Sequence, residues 1–189
     1  MKSPIVSEVE AHLEGLAETA TRTAAELSGT IAEVAEKVLH ALDAGRTLFF
    51  CGNGGSAADA QHLATEYVVR FRRTRRALAA VSLTTDTSLL TAASDHLGFE
   101  QVFARQIRAL ASADDVLFLH STSGESPNLL EAAKAARDVG MKTVALLGRG
   151  GGRLKDAVDV AIVVPTEDGA HAQAICDIVE SRIASTGRG

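Results

Sequence analysis

The 189-residue chain has no tryptophan, one tyrosine, six phenylalanines, three prolines and two cysteines. Cys51 and Cys176 each sit in an apolar run, so they read as buried thiols of a reducing compartment, not as a disulfide framework or a metal cluster. Surplus positive charge is missing as well: 19 Lys and Arg stand against 24 Asp and Glu, a formal net charge of -5. General attraction to nucleic acid or to an anionic membrane rests on excess cations, so neither partner is expected. No apolar run approaches the roughly 18 residues of a membrane span, and residues 1–10 lack an apolar core of signal-peptide length. These absences predict a soluble, cytoplasmic protein that meets any anionic ligand through local groups.

What is present suits one domain with a sizeable core, covering residues 1–189: a helical segment over 1–45 and an α/β core over 46–185. Apolar residues recur at Val9, Leu13, Leu16, Ala20, Ala24 and Leu27, then at Ile31, Val34, Val38 and Leu42, before a stop at Gly45. That spacing predicts two N-terminal helices. The first is rich in alanine and suits either close packing against another helix, from this or another subunit, or a plain surface position. Short apolar runs follow at 47–51, 77–83, 116–119, 143–147 and 158–164, separated by stretches long enough for helices. Runs apolar on both faces imply a five-stranded parallel sheet covered on both sides, a three-layer αβα sandwich of Rossmann-like type. Ligands of such sheets bind beyond the carboxyl ends of the strands. Residues 185–189 are small and polar and are expected to be disordered.

The first strand runs into Cys51-Gly52-Asn53-Gly54-Gly55-Ser56 and a helix expected over 57–71. Three glycines let a ligand approach the backbone, Ser56 can cap the helix, and the free amides of its first turn favour an anion. The P-loop lysine and the dinucleotide spacing are both absent, so nucleotide binding has little support. The third strand ends in His120-Ser121-Thr122-Ser123-Gly124-Glu125-Ser126, followed by Pro127 at a first helical position. Four hydroxyls around one glycine can wrap a phosphate without a basic side chain, or can simply start a helix well. Asp59, His62 and Glu66 share one helical face, with Arg70 a turn further on. They can hold a metal, move protons or form surface contacts. Arg72, Arg73, Arg75 and Arg76 read as a solvated turn. Asp86 reads as a helix cap, Ser94 and Asp95 lie in a polar stretch before a helix over 99–110, and 148–152 reads as a flexible turn without chemistry.

Together, the Cys51-to-Glu66 segment CGNGGSAADAQH-x3-E, the Thr84-to-Ala92 segment TTDTSLLTA and the Ser121-to-Asn128 segment STSGESPN resemble the phosphoheptose isomerase family of SIS domains. The resemblance runs from about Arg46 to Pro165 and implies the SIS fold. It implies isomerisation of sedoheptulose 7-phosphate to D-glycero-D-manno-heptose 7-phosphate through an enediol, with one zinc per subunit in a homotetramer. By position it implies that Asn53, Gly54, Gly55, Ser56 and Arg70 meet substrate, that Ser121, Thr122, Ser123 and Ser126 hold its phosphate, and that Ser94 and Asp95 meet its hydroxyls. Glu66 is the implied base; His62, Glu66 and Gln173 are the implied zinc ligands, Gln173 also touching substrate. The family follows its fifth strand with a Gln and, eight residues later, a His that acts as ligand and second acid/base. Here either Gln173 takes the Gln position and Ser181 the His position, or the helix is two turns short and Gln173 itself takes the His position. Neither register supplies the His; His171 reads as a plain helix-start residue, or as a substitute for it from a shifted backbone. That gap leaves a second reading: a non-catalytic relative that binds a partner, like the DnaA initiator-associating proteins. Arabinose 5-phosphate isomerisation shares the STSG loop but fits the DAQH-x3-E helix less well.

Overall fold

The computed structural model of the protein describes residues 3–71 and 74–185. Arg72, Arg73 and residues 186–189, to which the solvated-turn and disordered-tail expectations apply, lie outside the described residues.

One helix of 40 residues, α1 (Pro4–Asp43), replaces the two expected. Ser28-Gly29-Thr30 does not interrupt it, because Ser28 bonds back to the Ala24 carbonyl and Gly29 sits in open space. A mid-helix glycine weakens a helix by about 1 kcal/mol relative to Ala without ending it. Termination comes at Gly45, whose φ of +73° is costly for residues with a Cβ. Val34, Ala35, Val38 and Leu42, in the C-terminal half, are buried in the core.

The remaining elements are β1 (Leu48–Gly52), α2 (Gly55–Val68), β2 (Ala80–Ser82), α3 (Thr87–Leu97), α4 (Val102–Leu110), β3 (Val116–Ser121), α5 (Pro127–Val139), β4 (Lys142–Leu147), β5 (Val160–Val163) and α6 (Gly169–Ala184); helices separate the strands as the runs predict except between β4 and β5, which only 3-10 turns join. All strand pairs are parallel, in the order β2-β1-β3-β4-β5. Side chains alternate across the sheet. Leu48, Phe50, Val116, Phe118, Val144 and Leu146 meet α1, α2 and α6 on one face, whereas Phe49, Cys51, Leu117, Leu119, Ala145 and Leu147 meet α3, α4 and α5 on the other. Both cysteines are buried and unbridged.

Asp86 caps α3 by accepting from the Leu89 amide (2.9 Å), and Pro127 opens α5, both as expected. The helix anticipated over 99–110 begins instead with a 3-10 turn, Phe99–Gln101, before α4. α2 stops at Val68 where 71 was expected. Arg75 donates to the Glu66 and Tyr67 carbonyls at its end (2.7 Å each), so this arginine is a helix-terminating clamp rather than part of a solvated turn. The sheet order reverses between β1 and β3, which makes the loops after these two strands the rim of the ligand crevice.

Candidate active site

The loop after β1 is shaped by its glycines. A Cβ on Gly52 would lie 2.5 Å from the Ser56 carbonyl oxygen, and Gly54 has a φ of +57°. Gly54 occupies the N-cap of α2 without a side-chain cap; the Ala57 amide donates to the Gly54 carbonyl (3.1 Å), and the Gly55 and Ser56 amides at the helix start suit an anion. Ser56 is not the cap that the sequence suggests; its hydroxyl donates to Gln173 Oε1 (3.1 Å).

The loop after β3 folds over itself. Ser121 Oγ accepts from the Gly124 amide (2.9 Å) and Ser123 Oγ from the Glu125 amide (3.3 Å). Gly124 has a φ of +66°, and a Cβ there would lie 1.9 Å from the Gly151 carbonyl oxygen. Ser126 is the N-cap of α5, but its hydroxyl makes no cap bond. The 148–152 turn, expected to be flexible, is the floor of this loop: ideal Cβ atoms on Gly148 and Gly152 would meet the Thr122 and Ser123 carbonyls at 3.1 and 2.5 Å. Two reciprocal amide bonds between Asn53 and Asn128 (2.9 and 2.8 Å) clamp the two loops across the switch point. Asn53 was singled out from the sequence; its buried partner Asn128 was not.

α2 and α6 face one another beside these loops. Gln173 bonds Ser56 and, through its amide nitrogen, Asp59. Two turns further along α6, the Ser181 hydroxyl donates to Glu66 Oε1 (3.0 Å), and His62 Nε2 stands 3.3 Å from the same oxygen. Of the two registers left open, the fold therefore places Ser181, not Gln173, against Glu66. His171 turns away, towards α1. Glu66 is only 3% exposed, and its Oε2 has no hydrogen-bond partner among the described residues. Burial pushes the Glu66 carboxyl up; the Ser181 bond and His62 oppose this, and Asp177 adds to it. Asp59 is raised in the same way by burial, with Asp177 reinforcing and His120 and His62 opposing. Asp177 was missed, although residues 173, 177 and 181 recur at a spacing of four on one helical face.

A second pair was also missed. His120, at the end of β3, and Glu180, on α6, are almost fully buried, with Nε2 and Oε1 2.6 Å apart. That separation is the length of a short hydrogen bond, and burial raises the Glu180 carboxyl while His120 opposes the rise. Burial by itself depresses the imidazole, but the Glu180 carboxylate outweighs it and holds His120 above its ordinary range. No spacing rule links positions 60 residues apart; only the sheet brings them together.

A cation suits part of this face. The Glu66 carboxylate, with His62 beside its Oε1 and its Oε2 without a partner among the described residues, and the exposed imidazole are donor types that zinc takes, so these two residues fit part of a zinc site. Gln173 would join them only by leaving Asp59 and Ser56. The other expected substrate residues do not converge here. Arg70 lies exposed beyond the end of α2, and Ser94 and Asp95 occupy the last turn of α3, Asp95 being 81% exposed and 3.7 Å from His96.

Comparison with known proteins gives a consistent result. A sequence profile of the SIS domain matches residues 11–148. A phosphoheptose isomerase of Geobacter sulfurreducens is 49% identical over 166 residues, covering 84% of this chain and 88% of that protein. One from Roseiflexus sp. is 44% identical over 184 residues, covering 93% and 91%. Among solved structures, a phosphoheptose isomerase from Francisella tularensis matches with a TM-score of 0.94 at 32% identity, over 97% of each chain. One from Neisseria gonorrhoeae matches at 0.91 and 38%, over 96% and 97%. The chain belongs to the SIS domain family, in its phosphoheptose isomerase branch.

Proposed function

We propose that the protein is a sugar-phosphate isomerase that converts sedoheptulose 7-phosphate to D-glycero-D-manno-heptose 7-phosphate. The observation that carries this reading is Glu66: a buried carboxylate, raised above its ordinary range, with one oxygen held by Ser181 and the other unpartnered. A base tuned towards neutral pH is what proton abstraction beside a carbonyl requires. The relatives bearing the isomerase name favour this reading over the initiator-associating one.

The phosphate is assigned to the hydroxyls of Ser121, Thr122, Ser123 and Ser126, and the sugar chain to Asn53, Gly54, Gly55 and Ser56. Glu66 takes the proton from C1 of the ketose; the C1–H electron pair forms the C1–C2 double bond, and the carbonyl pair moves to O2. A proton passes from O1 to O2, Glu66 returns its proton to C2, and the C1 carbonyl of the aldose forms. Because one carboxyl both takes and returns the proton, the cycle closes without the family His. Ser181 orients that carboxyl. A zinc ion held by His62 and Glu66, with Gln173 as a further donor, would supply positive charge to stabilise the enediolate oxygen.

We also propose a homotetramer. Ile5, Val6, Val9 and Leu13 expose an apolar stripe on α1, between 45 and 70% exposed, which association would cover. Arg70, Ser94 and Asp95 would then serve a site completed by a neighbouring copy. The two unbridged buried thiols suit a cytoplasmic location. No helix of the described residues is long and apolar enough to cross a membrane.

The direct test is incubation of metal-replete protein with sedoheptulose 7-phosphate in D2O. Aldose formation, lost in Glu66→Gln, supports the proposal, with part of the C1 hydrogen retained at C2 because one carboxyl carries it. Binding of the sugar phosphate without turnover or exchange refutes it.

A further inference from the structure

Where α1 crosses the start of α6, three side chains from distant parts of the sequence meet at single atoms. His12 Nδ1 and His171 Nε2 are 3.1 Å apart, and Asp168 Oδ2 lies 4.0 Å from each. Four ligands set tetrahedrally at about 2.0–2.1 Å from a zinc ion stand about 3.3 Å from one another, so this triangle is close to one face of such a site. Small rotations of the half-exposed His12 and Asp168 side chains would close the difference.

Three features show that the triangle is built. Asp168 Oδ1 accepts from the Ala170 and His171 amides (2.7 and 3.1 Å) as the N-cap of α6, which fixes the carboxylate and leaves Oδ2 towards the imidazoles. The His171 side chain is 9% exposed and its ring packs on that of His12 at 4.4 Å, so its direction is set by packing. Gly15 makes room for it: a Cβ at that position would lie 2.8 Å from His171 Cε1. Glycine inside a long helix is unfavourable by about 1 kcal/mol relative to Ala, and the ring it admits accounts for its presence here.

We propose that His12, Asp168 and His171 form a binding site for a borderline divalent transition metal such as Zn2+, Co2+ or Cu2+, separate from the His62–Glu66 face and clasping α1 to α6. Two imidazoles and one carboxylate suit these ions, whereas Ca2+ and Mg2+ prefer oxygen donors. One or more positions stay open to water, since His12 and Asp168 are about half-exposed. The clasp holds the first turn of α6, the helix that presents Gln173 and Ser181 to α2.

The test uses the full chain stripped with chelator, then titrated with Zn2+ by calorimetry as wild type, Glu66→Gln, His12→Gln and the double variant. His12 is half-exposed, so the folded state survives its replacement. Glu66→Gln is expected to retain one tight equivalent and to gain about 5–10 °C in Tm at a hundredfold excess of zinc over Kd. The double variant is expected to lose both. In the Glu66→Gln background, Cu2+ is expected to show coupling to two imidazole nitrogens, falling to one with His12→Gln. Equal zinc stoichiometry and equal Tm gain with and without His12 overturn the proposal. Failure of the His62–Glu66 site appears separately, as wild type binding no more zinc than Glu66→Gln.

Discussion

At the residue scale, Glu66 and Ser181 carry the sharpest consequences. Burial lifts the Glu66 carboxyl above the unfolded value of about 4.3, so ionising it costs more in the folded protein than in the unfolded chain. Its stabilising contribution is therefore complete below that unfolded value and is lost as pH rises through the folded one. Glu66→Gln cannot ionise and still accepts from Ser181. In chelator it is expected to melt above wild type at pH 7, the gap closing as pH falls to about 4. The same variant is expected to lose 10²–10⁴-fold in kcat, about the range of a general base. Ser181→His places an imidazole against Glu66 and is expected to raise kcat by at least about tenfold, read by the same aldose assay. An unchanged rate would show that a second acid/base adds nothing to the two transfers Glu66 already makes.

Elements answer to their ends and their close approaches. Asp86 caps α3, so Asp86→Ala is expected to lower stability by about 1 kcal/mol in urea unfolding, while Asp86→Asn stays near wild type. Gly124 sits at positive φ with its missing Cβ against Gly151. Gly124→Ala is expected to cost more than about 2 kcal/mol and to weaken phosphate affinity, because the loop after β3 must lift from its floor. Both glycine-rich stretches are visible in the sequence, yet only one was read as functional. The 148–152 turn supports the serines without offering a side chain, and backbone-to-backbone contact leaves no pattern in composition.

For the whole molecule, the testable quantity is assembly. The exposed residues of α1 lie at positions 5, 6, 9 and 13, on one side of its first turns. Val9→Glu with Leu13→Glu is expected to reduce a tetramer to smaller species in light scattering, with activity falling in parallel if Arg70, Ser94 and Asp95 act across subunits. An unchanged mass would remove that stripe from the interface.

Local periodicity was enough to determine the layer architecture, the strand positions, the cap at Asp86 and the Gly- and Ser-rich loops, since each follows from spacing or dihedral demand within a few residues. It misjudged the break in α1, because a single glycine only weakens a helix, and the end of α2, because Arg75 acts from outside the helix. Tertiary structure alone decided that Ser181 meets Glu66, that Asn128 clamps Asn53, that His120 is buried against Glu180, and that His12 meets His171. Each of these joins residues 60 to 159 positions apart, and only the parallel sheet, with its helices on fixed faces, determines which of them come within reach of one another.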